Sequence, residues 1–463
     1  MFTVQDTICA VSTAPGVGGI AVIRVSGKDA IRIVNDVFVG KEKLVDMKGN
    51  TFCVGKIRAE GKDIDQVVVN VFRAPHSFTG EDVVEISCHG SVFIQKRMLE
   101  ILIEHGCRMA KAGEFTQRAF VNGKMDLSQA EAIADLIASK TRAQHDVALK
   151  QLKGSMSHEL EQLRDQLLQF TSLVELELDF SDQGDVEFAD RNQLKALCQE
   201  IQEKIATLAN SFELGNALKN GVAVALIGET NAGKSTLLNK MVGDDRAIVS
   251  DIEGTTRDVI EDEVTLQGVL FRFIDTAGLR ETEDKIENMG IDKTYAMMKK
   301  ASVVVWVIDS RRVTEHLEWL TEHVAHKAEN KRLVLAFNKQ DMLNDDEKTA
   351  IEKLFANYNV PKVWISAKTG EGVEELGNRI VEHSGVLNTE KEDVLVTNAR
   401  HFEALKNAQK SMRRVRKGLE EGVSGDLLSQ DLRETIDHLG EITGKISSQE
   451  ILNNIFGKFC VGK

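Results

Sequence analysis

The first 118 residues alternate short apolar runs with turn-forming residues. Three of these runs, 20–25, 66–72 and 83–87, are rich in valine and isoleucine and are bounded by glycine, serine or aspartate, as β-strands are. The stretch 92–105 has the apolar spacing of a helix. We therefore predict an α+β amino-terminal domain over residues 1–118.

Helical periodicity begins near Asp126, where apolar side chains start to recur every three or four positions. The resulting stripes run from Leu149 to Val174, from Leu194 to Phe212 and from Phe402 to Leu419. In neither half of the helical sequence do the apolar stripes find a complete set of helices to pack against. We therefore predict one discontinuous all-α helical domain, made of 119–219 and 385–463, with a block inserted between its two parts.

The inserted block, residues 220–384, alternates strand-like and helix-like segments. Its apolar runs are short and continuous, and they lie at 222–227, 302–308, 332–337 and 363–365. Strands that crossover helices cover on both faces have this texture. We therefore predict an α/β domain with a mostly parallel sheet.

Composition narrows the class of protein. The chain has 463 residues, with 58 basic and 72 acidic side chains and a net charge of −14. This length suggests about three domains, and the acidic balance argues against diffuse, charge-driven binding of nucleic acid. No apolar run approaches the roughly 18 residues of a membrane span. The six cysteines have no metal-ligand or disulfide spacing. With no targeting segment at the amino terminus, we expect a cytoplasmic protein that makes no membrane contact.

A phosphate-binding motif follows the first strand of the inserted block. Residues 228–235 read Gly-Glu-Thr-Asn-Ala-Gly-Lys-Ser, the G-x-x-x-x-G-K-[ST] pattern between a strand and a helix. Small residues let successive backbone N–H groups wrap a phosphate, while Lys234 reaches the β- and γ-phosphates and Ser235 binds Mg²⁺. The residues of this loop expected to bind the nucleotide are Asn231, Ala232, Gly233, Lys234, Ser235 and Thr236.

Four further motifs follow in the order that Ras-like P-loop domains have. Asn338-Lys339-Gln340-Asp341 matches N-K-x-D, in which Asp341 accepts the paired hydrogens of guanine that adenine lacks. Thr256, in the motif 254–258 between the phosphate loop and a strand expected at 270–274, completes the Mg²⁺ shell. The remaining expected contacts with GTP are Asp275, Thr276, Ala277 and Gly278, followed by Ser366, Ala367 and Lys368. Five motifs in one order identify a GTPase domain.

Leu279 stands where Ras-like enzymes place the glutamine that orients the attacking water. Leucine cannot orient water, so another group must do this work. Acidic residues between 280 and 290 are candidates, although each also suits a solvated helix face. Asn231 offers a side-chain oxygen beside the phosphates that could ligate a monovalent cation in place of an arginine finger. It could equally be a residue that only stabilises the loop.

Over its full length the chain resembles the tRNA-modification GTPase family usually called MnmE or TrmE. The inserted GTPase domain and the terminal C-x-G-K are a specific combination. The resemblance rests on the segments 6–8, 18–20, 24–27, 78–85, 113–116, 118–120, 126–127, 129–137 and 459–463.

The resemblance implies a homodimer built by the amino-terminal domains, each binding 5-formyl- or 5,10-methylene-tetrahydrofolate. The positions that match the family's folate contacts are Arg24, Glu85, Lys124 and Lys463. A pterin presents a guanine-like donor edge to a carboxylate, and its glutamate tail suits arginine and lysine. Read without the resemblance, Arg24 and Glu85 would be surface or strand-end charges.

Within the GTPase domain the resemblance implies that Glu287 orients the water. It also implies a K⁺ ion that stimulates hydrolysis, held by Asn231, Ser250, Ile252 and Thr255, with Ser250 and Thr255 also in contact with GTP. The expected partners are tRNA and a flavin-dependent protein of the MnmG or GidA family. Together they would add an aminomethyl or carboxymethylaminomethyl group to C5 of the wobble uridine. A ribosome-assembly or RNA-chaperone GTPase shares the nucleotide motifs but needs neither the folate residues nor the carboxyl-terminal cysteine.

The carboxyl-terminal tail has its own competing interpretations. The spacing of Ile451, Leu452, Ile455 and Phe456 predicts a helix, after which residues 460–463 would project and close the folate site from the helical domain. Cys460 could be a buried structural thiol, a residue that lines the folate site, or a prenylation site, although the last four residues match a prenylation box poorly. Most chain ends are frayed, so the alternative interpretation is that the whole tail is a frayed end with no part in the folate site.

Overall fold

The computed structural model describes residues 6–180, 191–229, 231–244, 262–274, 298–313, 332–386, 394–446 and 449–462. They divide into two compact units. The first comprises the described residues up to Ala134, Leu152–Leu168 and those from Arg433 onward, and the second comprises the described residues of Asp135–Gln151 and Gln169–Leu432. No helix in the described part of the chain combines the length and the apolar character that crossing a bilayer requires.

The described helices are α1 (Ala30–Val37), α2 (Val92–Glu104), α3 (Glu114–Val121), α4 (Leu127–Ala138), α5 (Arg142–Leu152), α6 (Ser155–Phe180), α7 (Arg191–Asn210), α8 (Phe212–Asn220), α9 (Lys234–Asp244), α10 (Asp345–Leu354), α11 (Val373–Ser384), α12 (Ala399–Glu421), α13 (Gly425–Thr443) and α14 (Gln449–Phe456).

The first unit is built on a seven-stranded sheet. Its strands are β1 (Thr7–Val11), β2 (Gly18–Ser26), β3 (Phe38–Gly40), β4 (Thr51–Ala59), β5 (Lys62–Phe72), β6 (Val83–Gly90) and β7 (Cys107–Met109). They lie in the order β3-β4-β5-β6-β2-β1-β7. Neighbours are antiparallel except for β1 and β7, which run parallel. This arrangement confirms the predicted α+β character of the amino-terminal part.

Alternation along the strands decides which face of this sheet is buried. In β5, Val67, Val69 and Val71 are at most 2% exposed, whereas Val68 between them is 37% exposed. The buried set joins the core that α1 and α2 complete on the same face. The opposite face, over β4 to β6, therefore keeps apolar side chains at the surface, among them Phe52 and Val54.

The second unit contains a six-stranded sheet. Its strands are β8 (Val222–Ile227), β9 (Asp262–Leu266), β10 (Val269–Phe273), β11 (Val303–Asp309), β12 (Arg332–Asn338) and β13 (Lys362–Trp364), in the order β13-β12-β11-β8-β10-β9. All neighbours are parallel except β9 and β10. Two separate apolar clusters cover its faces. The predicted parallel α/β domain is confirmed.

The two helical halves of the chain meet in the second unit. Helix α7, from the first half, lies along α12, from the second. The rings of Phe212 and Phe402, one from each half, stack with centroids 4.4 Å apart and planes 16° from parallel. Both residues lie on predicted apolar stripes, so the discontinuous helical domain is confirmed.

The chain enters and leaves the inserted block at one place, which we call the seam (residues 211–221 and 394–398). Across it, the backbone N–H of Val396 donates to Ser211 Oγ at 3.0 Å. Gln144 Nε2 donates to the backbone carbonyl of Lys219 at 2.8 Å, and Lys219 forms an ion pair of 2.7 Å with Asp135. A cavity of about 190 Å³ lies at the seam, and the side chains of Asp135, Gln144 and Lys219 line part of it.

Candidate functional site

The phosphate loop joins β8 to α9, and its geometry depends on Gly233. This residue has a φ of +98°, and a Cβ atom there would collide with Nδ2 of Asn338. Only glycine satisfies both conditions. The ammonium of Lys234 donates to the carbonyl oxygens of Gly228 at 2.8 Å and Glu229 at 2.7 Å. Burial lowers the pKa of Lys234. Ser235 and Thr236 follow in the first turn of α9.

Asn338, at the carboxyl end of β12, joins three distant segments. Its Nδ2 donates to the carbonyl of Ala232 in the phosphate loop at 2.7 Å. Its Oδ1 accepts from the backbone N–H of Lys339 at 2.8 Å and from that of Ala367 at 2.9 Å. The structure therefore brings the phosphate loop, the N-K-x-D motif and the Ser-Ala-Lys loop together, although they are separated by up to 135 positions.

The base-recognition residues lie around this junction. Asp341 sits in a single 3₁₀ turn, Gln340–Met342, and its side chain is exposed. The backbone N–H of Gln340 donates to Ile365 O at 3.1 Å, which ties this turn to the loop that holds Ser366 and Ala367. Ser366 and Ala367 are buried, whereas Lys368 is exposed.

Asp309 ends β11 beside this junction and is a residue that the sequence analysis missed. Its carboxylate accepts from Lys339 Nζ at 2.5 Å and from Nη2 of Arg311 at 2.8 Å. Burial alone would raise its pKa, but hydrogen bonds from Arg311 and Lys339 outweigh burial and hold the pKa of Asp309 well below its usual range. The available signal was its place, since it follows an apolar run at the carboxyl end of a parallel strand, where ligand sites gather.

Many of the expected nucleotide and ion contacts lie outside the described residues. They are Ser250, Ile252, Thr255, Thr256, Asp275, Thr276, Ala277, Gly278 and Glu287, together with Leu279 and the terminal Lys463.

A second candidate site lies on the sheet of the first unit, around Arg24. Arg24 and Glu85 face each other directly across β2 and β6, and Arg24 Nε donates to Glu85 Oε1 at 2.9 Å. The guanidinium also lies 5.2 Å from the ring centroid of Phe78 and 5.6 Å from that of Phe115. Both charges stand within their strands, so the strand-end interpretation is wrong. We call this group of four the Arg24 pocket.

Lys124 lies against the loop that carries Phe78. Its Nζ donates to the carbonyl of Pro75 at 3.0 Å, and its stem passes next to Gly80. Lys124 therefore lies beside the loop that carries Phe78, and its contact with folate stays a prediction.

The carboxyl-terminal tail is fastened to the first unit and does not project from it. Val461 pairs with Ala112 in an antiparallel bridge, and the carbonyl of Gly462 accepts from Ser12 Oγ at 3.0 Å. Gly462 has a φ of +95°, and a Cβ atom there would collide with the carbonyl of Val11. The expectation that the tail projects is wrong for residues 460–462, because backbone contacts at 461 and 462 hold them beside β1, the strand next to β2.

Cys460 is exposed at this point, so its interpretation as a buried structural thiol is wrong. The backbone carbonyl of Cys460 accepts from the N–H of Gly113 at 3.4 Å, and Gly113 lies two residues before Phe115 in the chain. The ring of Phe459 lies 5.6 Å from that of Phe456 and anchors the tail on α14.

A charge cluster centred on the buried Arg118 supports the loop of the Arg24 pocket. Arg118, 2% exposed, donates to Glu81 at 3.2 Å, to Asp6 Oδ1 at 2.9 Å and to Glu114 at 3.1 Å. Arg108 also binds Asp6 and Glu114. Hydrogen bonding to Arg108 lowers the pKa of Asp6. Burial alone would raise the pKa of Glu114, but bonds from Arg108, the Lys111 backbone and Arg118 lower it overall.

Glu81 links this cluster to the loop. It accepts from Ser26 Oγ at 2.7 Å, and Ser26 in turn shares a 2.7 Å hydrogen bond with the hydroxyl of Thr79, the neighbour of Phe78. The position of the Phe78 ring over Arg24 is thus coupled to the buried Arg118.

Comparison with known proteins covers nearly the whole chain. One family model, described as the MnmE helical domain, matches residues 127–460, and another, described as the GTP-binding protein TrmE N-terminus, matches residues 7–124. The chain is 51% identical over 465 residues to the tRNA modification GTPase MnmE of Bacteroides fragilis, covering 99% of this chain and 100% of the relative. It is 52% identical over 463 residues to that of Parabacteroides distasonis, with the same coverage.

Solved structures are similar to part of this chain. The G domain of the T. maritima FeoB iron transporter is 30% identical, covers 35% of this chain and 98% of that chain, and gives a TM-score of 0.26. The relatives are matched from end to end, and the two family models cover residues 7–124 and 127–460. The three nucleotide motifs that the structure describes converge within the second unit. The chain therefore belongs to the MnmE family of tRNA modification GTPases, which are GTP hydrolases.

Proposed function

We propose that this chain is the GTPase of a wobble-uridine modification enzyme. As a homodimer, it acts with a flavin-dependent protein of the MnmG or GidA family on certain tRNAs. Together they add an aminomethyl or carboxymethylaminomethyl group to C5 of the wobble uridine, with a tetrahydrofolate derivative as the source of the carbon. The observation that carries this proposal is that one chain holds both a guanine-type phosphate-loop site and the Arg24 pocket beside a fastened carboxyl-terminal tail.

The Arg24 pocket suits a pterin by its chemistry. Both short contacts from Arg24 reach Oε1 of Glu85, and no contact to Oε2 occurs among the described residues. Oε2 can therefore accept from the paired N–H donors of a flat heterocycle. Lys124 and Lys463 would meet the carbonyls and the glutamate tail of the folate.

The exposed face of the first sheet supports the homodimer. One row across this face runs Phe52, Asn70, Glu85 and Arg24, because these residues are successive cross-strand partners. Phe52 is 68% exposed and Val54 is 53% exposed. A second copy docked here would bury these apolar side chains next to the Arg24 pocket, and folate binding and dimerisation would share one surface.

Each residue expected in the nucleotide site has its own proposed task, although Glu287, Thr256 and three of the K⁺ ligands lie outside the described residues. Lys234 exchanges its two loop carbonyls for phosphate oxygens, Asp341 reads guanine, and Glu287 orients the water. Ser235 and Thr256 would hold Mg²⁺, while Asn231, Ser250, Ile252 and Thr255 would hold K⁺. When bound, these cations neutralise the charge that develops on the transferring phosphoryl group.

Asn231 fits the role of a K⁺ ligand. It has a φ of +65°, and its backbone carbonyl is engaged by Lys339 Nζ at 2.8 Å. Its exposed side-chain oxygen is left to face a cation.

Nucleoside analysis of bulk tRNA from cells that lack this gene tests the proposal. We expect the modified wobble uridine to disappear and to return when the wild-type gene is restored. The Glu85→Gln variant should fail to restore it while still hydrolysing GTP, because its lesion lies in the Arg24 pocket alone. An unchanged nucleoside profile in the deletion strain would contradict the proposal and favour a GTPase of ribosome assembly.

A further inference from the structure

The carboxylate of Asp309 lies at the carboxyl end of β11 and is 7% exposed. It accepts from Lys339 Nζ at 2.5 Å, from the backbone N–H and Nε of Arg311 at 3.1 Å each, and from Nη2 of Arg311 at 2.8 Å. Two cations therefore share one buried carboxylate. None of the five motifs that identify the GTPase domain includes Asp309.

Lys339 occupies an unusual backbone position. Its φ is +69°, in the left-handed region that lysine rarely adopts. Its ammonium reaches across the site to the carbonyl of Asn231 in the phosphate loop at 2.8 Å. Asp309 and Asn231 thus hold the two sides of one ammonium group, and Asp309 supplies the only charged partner of Lys339 among the described residues.

We propose that Asp309 is a positioning residue for guanine-nucleotide binding, which acts by fixing Lys339 between β11 and the phosphate loop. When a nucleotide binds, the long side chain of Lys339 loses conformational entropy unless it is already restrained. A side chain that is restrained beforehand lowers this entropy cost. The charge-assisted bond from Asp309 supplies that restraint. The inference concerns nucleotide affinity alone, so it stands or falls independently of the folate and K⁺ proposals.

Arg311 is the other partner of Asp309 and allows the route to be tested. Its side chain is 43% exposed, and among the described residues it makes a 3.7 Å contact from Nη1 to Met342 Sδ but none with the phosphate loop. If Asp309 acts through Lys339, losing Arg311 should leave nucleotide affinity nearly unchanged. If Asp309 serves only to stabilise its own loop, losing either partner should matter equally.

The experiment uses the full-length chain and titration with fluorescent GDP. Asp309→Asn keeps the shape and removes the charge. We expect it to weaken GDP binding about 10- to 100-fold, the worth of one hydrogen bond to a charged group. Lys339→Met should weaken binding at least as much. Arg311→Met and the exposed control Asp346→Asn, in the same domain, should stay within about twofold of wild type.

The energetic coupling between Asp309 and Lys339 decides whether Asp309 acts on nucleotide affinity through Lys339. In the Asp309→Asn/Lys339→Met double variant, affinity should match that of Lys339→Met within about twofold, because the positioned group is already gone. This comparison also serves if Asp309→Asn alone fails to fold, since the double variant leaves no unpaired ammonium at the site.

Steady-state hydrolysis by Asp309→Asn should show a raised KM and a kcat close to wild type. A further tenfold loss of affinity in the double variant, wild-type affinity in Asp309→Asn, or an equal loss in Arg311→Met would each overturn the proposal.

Discussion

Replacing Arg118 with methionine should open the loop of the Arg24 pocket without unfolding the chain. Methionine fills similar volume but leaves the carboxylate of Glu81, 15% exposed, with Ser26 as its remaining described partner. Asp6 and Glu114 keep Arg108. The damage should therefore concentrate at Glu81 and the loop that it holds.

The size of the effect follows from burial. Removing one partner of a buried ion pair costs about 3–5 kcal/mol, because a desolvated charge is left unpaired. Expressed as local opening, that is an increase of about 2.2 to 3.7 orders of magnitude in the opening equilibrium constant. Arg108→Met is the matched control. Its side chain is 39% exposed, and partly exposed pairs contribute only about 0–1 kcal/mol.

Hydrogen exchange read by mass spectrometry is the suitable assay, since a single unfolding free energy is poorly defined for a chain of several domains. Peptides that cover 74–82 and α3 should exchange much faster in Arg118→Met than in Arg108→Met, while peptides of β8 and α9 stay unchanged. Adding Glu81→Gln to Arg118→Met should restore part of the protection, because it removes the stranded charge. Equal exchange in the two single variants, or further loss in the double variant, would refute the reasoning.

Four other outcomes follow from the same structure. Asp341→Asn should weaken GTP binding by about 100-fold or more through loss of the acceptor for guanine, and titration with a fluorescent analogue that shows wild-type affinity would count against the base site. GTP hydrolysis should be faster in KCl than in NaCl at equal ionic strength, and Glu287→Ala should lower kcat with nucleotide affinity intact; equal rates in the two salts would argue against the K⁺ site. Deleting Cys460–Lys463 should weaken binding of 5-formyltetrahydrofolate in calorimetric titration while GTP hydrolysis persists, and undiminished folate affinity would show that the tail has no part in the pocket. The pKa values of Asp6 and Glu114 are lowered in the folded chain. Their contribution to stability is therefore complete above their unfolded pKa values of 3.8 and 4.5, and it is lost as the pH falls through the lowered values. Hydrogen exchange in 74–82 should rise over that acid range, and protection that does not change with pH would contradict the charge cluster.

Local sequence patterns predicted the strands and motifs whose structure depends on residues close together in the sequence. The runs 222–227 and 332–337 became β8 and β12 almost residue for residue, because a strand buried on both faces must be continuously apolar. The phosphate loop and the N-K-x-D motif were readable for the same reason, since backbone geometry and base chemistry restrict each short segment to a few residue types.

Contacts between distant segments were not readable from one sequence. Arg118 and Glu81 lie 37 positions apart, and Ser12 and Gly462 lie 450 positions apart. No local pattern marks these pairs, because what brings them together is the register of β1, β2 and β6 and the path of α14. Asp309 was overlooked for a related reason: an acidic residue after an apolar run is common, and only the neighbouring strand shows that Lys339 reaches it.

The seam has a consequence for how such a chain could arise and be dismantled. Since Val396 is hydrogen-bonded to Ser211, the two chain segments that connect the inserted block to the helices lie side by side. Joining such neighbouring ends needs only a short linker, and the entropy of closing a short loop is small. A gene that lost the block could keep its helical frame, and a gene that gained a different block with adjacent ends could accept it.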